Sequence, residues 1–253
     1  AIFKSDLKCS AKNSAVAPVV TEVTQVSSTP SHSESYHSSR TFDALAKSDT
    51  QLAALSGHYY SKTVSAEPVN TTKTALEANS FKVHLVNSRG EAFETLKSLI
   101  PSGASINNAY STTLEEIGEW DSLHTQILVE NDFAKQWELR RTIRSTVDHF
   151  LTSMSAITED GKLAHADLAG SKVGSIAFGA KNVIVAGNNK IVKDEGEAQQ
   201  CTDGFALAVE GAHACDVYGV AASDIAHNEM IYKANPYFPG RIPVVHINDS
   251  FGF

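Results

Sequence analysis

The alternation of apolar and polar positions sharpens at Phe81. Phe81, Val83 and Leu85 alternate with Lys82 and His84, the period-two pattern of a half-buried strand. Ala92, Phe93, Leu96, Leu99 and Ile100 then recur at helical spacing, with Ser88-x-x-Glu91 as a capping box in front and Pro101 and Gly103 as stops behind. Ala104–Asn108 is a short strand candidate, and Thr113 with Glu116 forms a second capping box ahead of LEEIGEW. Asp132–Val147 predicts a helix carrying Arg140, Arg141 and Arg144 near its C-terminal end, where cations suit the helix dipole.

Two apolar runs, His149–Met154 and Val183–Ala186, have strand length and composition. Each precedes a polar, loop-like segment, SAITEDGKL and GNNKIVKD, and the intervening LAGSKVGSIAFG predicts a short helix rich in small residues. A strand–loop–helix–strand unit is the building block of a parallel sheet. Its loops fall past the strands' C-terminal ends, where open α/β sheets bind ligands. Further on, Ala198, Cys201, Phe205, Ala208, Ala212 and Cys215 share one face of a helix predicted over Glu195–Cys215. Ser223–Tyr232 predicts another short helix. Pro236, Pro239, Gly240 and Pro243 lead into a last strand, Val244–Ile247. Upstream, Phe42, Leu45, Leu52 and Leu55 make a weak helical pattern. Pro68 and NTTKT mark a linker or domain boundary, and Thr72–Asn79 reads as a short helix. The fold class that follows is α/β: a Rossmann-like, mostly parallel sheet with flanking helices.

Composition adds a division. Thirteen of the first forty residues are Ser or Thr. Four Lys/Arg against three Asp/Glu give this stretch +1, so the rest of the chain carries −9 of the overall −8. Such a stretch cannot bury enough apolar surface to offset its ordering entropy. We therefore expect an extended N-terminal arm over residues 1–70, held by other protein subunits, and an α/β domain over residues 71–253. The Ser-rich, acid-poor arm also has the composition of an organelle-targeting region, which favours a matrix or stroma over the cytoplasm. The negative balance argues against nucleic acid as a partner. No apolar run is long enough to span a bilayer. Cys9, Cys201 and Cys215 do not make a disulfide framework. No CxxC or HExxH spacing is present, so neither a metal nor any other cofactor is expected.

Three segments offer chemistry. Ser111, Thr112 and Thr113 stand at a predicted helix start, where free N–H groups suit an anion, and Glu115 or Glu116 would be the base or nucleophile there. An N-cap alone explains the same residues. Ser155, Thr158 and Asp160 form the second candidate, although Asp160-Gly161 is also an ordinary turn. The third is Gly187-Asn188-Asn189-Lys190 with Lys193. A glycine lets the backbone approach a ligand, and Lys190 can neutralise a carboxylate or phosphate. The bland alternative is a solvated loop. The ten histidines show no catalytic pattern, and His149 and His246 read as strand residues with satisfied nitrogens.

FLTSMSAITEDGKL, FGAKNVIVAGNNKIVKD, NSRGEAFETLKSLIPSGASINNAYSTTLEEIG and the closing RIPVVHINDSFGF together resemble the LUD domain of lactate-utilisation proteins, over roughly residues 71–253. The resemblance implies a fold similar to the ribose-5-phosphate isomerase and CoA-transferase group. It also implies a small anionic metabolite of the hydroxy-acid type as ligand. Departures occur at Ser155, where relatives often carry Asn, at Gly170-Ser171-Lys172 in place of a Gly-Asn-Arg-like phrase, and at GEAQQC, which lacks an arginine common in relatives. Loss of a planar cationic fork at an anion site is not neutral. Two functions are therefore carried forward: a non-catalytic accessory subunit of a larger assembly, and a protein that binds or converts the small anion.

Overall fold

The computed structural model describes residues 42–48, 50–55, 58–109, 111–117, 133–218 and 221–253. Residues 1–41 lie outside the described residues, and with them most of the expected arm.

Five parallel strands form the main sheet: β1 (Lys82–Val86), β2 (Ile106–Asn108), β3 (His149–Thr152), β6 (Lys181–Gly187) and β9 (Pro243–Ile247), in the spatial order β1-β9-β6-β3-β2. Register pairs Val83 with Val244, Val185 with Val245, Leu151 with Val183 and Asn107 with Phe150. The alternation within β6 divides the core. Ile184 and Ala186 pack on one side with Leu76, Phe150 and Ile176. Val183 and Val185 pack on the other with Leu96, Leu114 and Val245. The first side is covered by α3 (Ala66–Ala78) and α7 (Ser171–Phe178), the second by α4 (Arg89–Leu99) and α5 (Thr112–Ile117). A sheet apolar on both faces needs helices on both, which is the α/β layering expected from the strand–helix pattern.

Several boundaries differ from expectation. The segment SAITEDGKL is not a loop: it contains β4 (Ala156–Thr158) and the turn into β5 (Leu163–Asp167), an antiparallel hairpin. With β7 (Ile191–Val192) and β8 (His227–Ile231) these make a second sheet, β7-β4-β5-β8. The helix expected over Ser223–Tyr232 is therefore wrong. HNEMI pairs as an edge strand with β5, so exposed polar residues replace the apolar alternation that marks a strand in sequence. The helix expected over Glu195–Cys215 is α8 (Glu195–Gln200), a π turn (Cys201–Ala206) and α9 (Leu207–Tyr218). Pro68 does not mark a linker; it sits in the first turn of α3, where its missing N–H would have no partner anyway. The Ser88 cap is present, its Oγ accepting from Glu91 N–H at 3.1 Å.

The weak pattern of residues 42–55 forms α1 (Phe42–Ser48) and α2 (Thr50–Ala53). Leu45 and Leu52 are buried against Phe205 and Val209, and the Phe42 ring lies 5.6 Å from that of Phe205. These apolar positions are taken up by the chain's own domain. The last of the helices to name, α6 (Phe133–Thr146), places the Arg144 guanidinium 5.9 Å from the Phe150 ring centre. No helix among the described residues is long and apolar enough to cross a membrane.

Candidate functional site

The site is built where β6 ends. At Gly187 an added Cβ would meet the Phe251 nitrogen at 2.4 Å and Asn189 Oδ1 at 2.5 Å, so only glycine lets the segment after β9 pass this closely. The chain then makes a 3-10 turn, Asn188–Lys190, in which all three side chains are buried. Burial of an Asn-Asn-Lys run overturns the solvated-loop alternative. Lys190 is 1% exposed, and its Nζ has no hydrogen-bond partner. The Phe253 ring lies over it, with its centre 6.0 Å away. Burial pushes the amine down to about 8, Cys201 and Glu116 oppose that shift, and Lys172 adds to it.

The cover over Lys190 comes from the segment that follows β9. Asn189 grips it at two points: Nδ2 donates to Gly252 O at 3.1 Å, and Oδ1 accepts from Phe251 N–H at 3.0 Å. The Gly252 N–H donates to Glu116 Oε2 at 2.7 Å, and Thr113 Oγ1 reaches Phe251 O at 3.4 Å. The Asn188 N–H donates to Asp249 O at 2.9 Å. Gly252 has φ +65°, and a Cβ there would stand 2.1 Å from Thr113 Oγ1.

Thr113, Glu116, Asn188, Asn189 and Lys190, expected from two separate segments, thus meet around one short stretch. Phe251, Gly252 and Phe253 were not among the expected residues. Their one visible signal was the glycine between two phenylalanines after an apolar strand, a pattern that says nothing of where it packs.

The Ser111–Glu116 segment serves chiefly as a helix start. Ser111 is the cap: its Oγ accepts from Leu114 N–H at 3.3 Å and donates to Ser153 Oγ at 2.9 Å. The capping box expected between Thr113 and Glu116 is replaced, because Thr113 lies inside α5 and Glu116 turns to Gly252. Thr112 is buried and Glu115 half-buried.

The second candidate is a closed turn. Thr158 Oγ1 accepts from Lys162 N–H at 2.9 Å, and Gly161 N–H donates to Thr158 O at 2.8 Å. Asp160 pairs with Lys162 at 2.7 Å, and Lys162 also reaches Glu195 at 2.6 Å. Asn79 Nδ2 ties the turn to the end of α3 through Asp160 O at 3.0 Å and Gly161 O at 2.9 Å. The Ser155 carbonyl accepts from Cys201 Sγ at 3.7 Å. Lys193 is exposed, and its N–H caps toward Glu197 at 2.8 Å, away from the buried turn.

His149 and His246 are buried, but neither ring nitrogen of either has a hydrogen-bond partner, contrary to expectation. Burial depresses His246 to about 4 and His165 to about 3, so both are neutral at pH 7. Among the described residues no group of three His, Cys, Asp or Glu is placed to hold a metal ion. A surface hollow of about 740 Å³ lies at the other end of the sheet beside Lys82, Lys181 and Pro243. Those residues begin β1, β6 and β9, so the hollow lies away from Lys190.

Chemically, an enclosed amine of this kind can hold an anion by charge on the acid side of its titration. On the other side it becomes a base or a nucleophile.

No curated protein matches the sequence. A crystal structure of a DUF162 family protein from Deinococcus radiodurans superposes with a TM-score of 0.45 and 12% identity, covering 73% of this chain and 98% of that one. The sequence profile of the LUD domain matches residues 69–247, and the chain belongs to the LUD-domain family.

Proposed function

We propose that the chain binds a small organic anion, of the hydroxy-acid or lactate type, at the buried Lys190 amine. The observation that supports the reading is the Lys190 amine, buried without a hydrogen-bond partner at the C-terminal end of a parallel strand. An ammonium held in such a place is costly unless something compensates its charge. A carboxylate does so. The family's link to lactate utilisation agrees with that class of ligand. Asn188 Oδ1, also buried and without a partner, offers an acceptor for a ligand hydroxyl. Thr113 and Glu116 hold the Phe251–Gly252 cover over the amine. The test is thermal unfolding with lactate, pyruvate and inorganic phosphate on the native chain and on Lys190→Met. Ligand at one hundred times its dissociation constant adds about 2.7 kcal/mol. A gain for one of these anions that vanishes in the variant supports the reading; no gain with any of them removes it.

A second reading, an accessory subunit of an assembly, is favoured by a different observation. Phe178 is 93% exposed, Tyr237 86% and Phe238 61%. The end of α7, which carries Phe178, and the loop that carries Tyr237 and Phe238 are joined by Arg241, whose Nη2 donates to Ile176 O at 2.7 Å and whose N–H donates to Phe238 O at 3.2 Å. Clustered exposed aromatics are the usual anchors of protein interfaces. Size measurement in native extract, with and without Tyr237→Ser and Phe178→Ser, tests it. A particle of single-chain mass with either sequence removes this reading.

A further inference from the structure

We propose that Lys190 is a carbonyl-capturing residue, forming an imine with a small 2-oxo acid. The inference deepens the anion-binding reading and rests on it for the location of the ligand. Three features on the page carry it. The amine has no hydrogen bond to tie up its lone pair. It is enclosed at 1% exposure beneath Phe253, which excludes the bulk water that hydrolyses imines. Glu116, whose carboxylate already receives the Gly252 N–H of the cover, lies close enough to act on the amine's charge.

A buried lysine with a second cation nearby is the arrangement that makes an amine nucleophilic near neutral pH. Lys172 is that second cation. A 2-oxo acid supplies both halves of the complement, a carboxylate for the charge and an electrophilic carbon for the lone pair. In the step, the Nζ lone pair forms the C–N bond as the C=O π bond breaks. The oxygen takes up a proton and becomes a hydroxyl. A second proton transfer, through Glu116, lets that oxygen leave as water while C=N forms. Both hydrogens of the neutral amine depart in the water, and no electrons leave the system. The proton that the ammonium gives up before attack returns to the imine nitrogen, so the iminium carries one positive charge and the ligand carboxylate stays compensated. Access requires the Phe251–Phe253 cover to lift from Asn189, Glu116 and Thr113.

The experiment is reductive trapping on the full chain. Pyruvate and cyanoborohydride are added at neutral pH, and the modified lysine is located by peptide mass mapping. Labelling at Lys190 exceeding that at the surface residues Lys97 and Lys193 by about tenfold supports the proposal, as expected for an activated amine against ordinary ones. The yield should also rise with pH through about 8. The groups facing the amine in that titration are Glu116 from α5, Cys201 from the π turn, Lys172 from α7 and His165 from β5. Phe253→Ala, which uncovers the amine, should label faster. Label spread over surface lysines with none at Lys190 overturns the proposal, as does label at Lys190 in Phe253→Ala alone. Lactate, which has no carbonyl to trap, separates the two readings. If lactate stabilises the native chain and no adduct forms, carbonyl capture falls and anion binding stands. If lactate, pyruvate and phosphate all leave the unfolding temperature unchanged and no adduct forms, both fall.

Discussion

The polar turns after β4 and after β6 both sit at strand ends and differ in how their polar atoms are used. In Thr158–Lys162 the hydroxyl, the carboxylate, the ammonium and the turn carbonyls find partners within the hairpin, on α3 or on Glu195. In Asn188–Lys190 the side chains are more deeply buried, yet the Lys190 amine and Asn188 Oδ1 find none. Native proteins satisfy nearly all buried polar groups, so the turn whose groups are paired is architecture, and the buried turn with two unpaired groups is where the proposed anion is placed. Position after a strand does not distinguish the two. The accounting of partners does.

The sharpest way to break this contrast is backbone strain in the closed turn. Gly161 has φ +80°, and its added Cβ would sit 2.5 Å from the backbone of Ala75 and Leu76. Gly161→Ala should therefore destabilise the fold by about 3 kcal/mol, read by urea unfolding. In the open turn the sign should reverse. Lys190→Met removes a buried unpaired amine at nearly constant volume and should stabilise the chain by about 1–3 kcal/mol at pH 7 while abolishing the ligand shift.

Proton linkage sharpens the same point. Lys190 titrates at about 8 in the folded chain against an ordinary 10.5, so the unfolded chain binds the extra proton between those values. The site's penalty is complete below about pH 8 and is relieved as pH rises toward 10.5. The native chain should therefore gain stability relative to Lys190→Met over that window. His246 and His165, depressed to about 4 and about 3, act on the acid side. Unfolding takes up protons there, so stability falls as pH drops below the ordinary 6.5 and levels off below the folded values. Denaturation midpoints across pH check both limbs. The smallest effect belongs to Lys162→Met, since its partners Asp160 and Glu195 are largely solvated. A small loss of stability, diminished further by salt, is expected from paired chemical melts.

The sequence was legible where a residue's fate depends on its neighbours in the chain. The apolar runs of β3, β6 and β9, the Ser88 cap and the helical face of α4 all depend on spacing within a few residues. The hairpin in SAITEDGKL was hidden because β4 has three residues, too few to show alternation. The edge strand β8 was hidden because its first two residues, His227 and Asn228, are polar and exposed on both faces. Lys190 and the two asparagines were found as candidates, but their burial was not foreseeable. It is imposed by Phe251–Phe253, more than sixty positions away, on a local stretch that is entirely polar. A longer separation, 136 positions, hides the bond of Glu116 to Gly252 behind the local capping-box pattern.

The place of β9 in the sheet has a consequence for biogenesis. Among the described strands it follows all the others in sequence, yet it lies between β1 and β6 and hydrogen-bonds to both. Until a ribosome has made it, β1 has no neighbour and β6 only β3 among the described strands. Both raw edges can recruit foreign strands. Nascent chains arrested before Pro243 should therefore depend on holding chaperones, and release past Ile247 should end that dependence in one cooperative step.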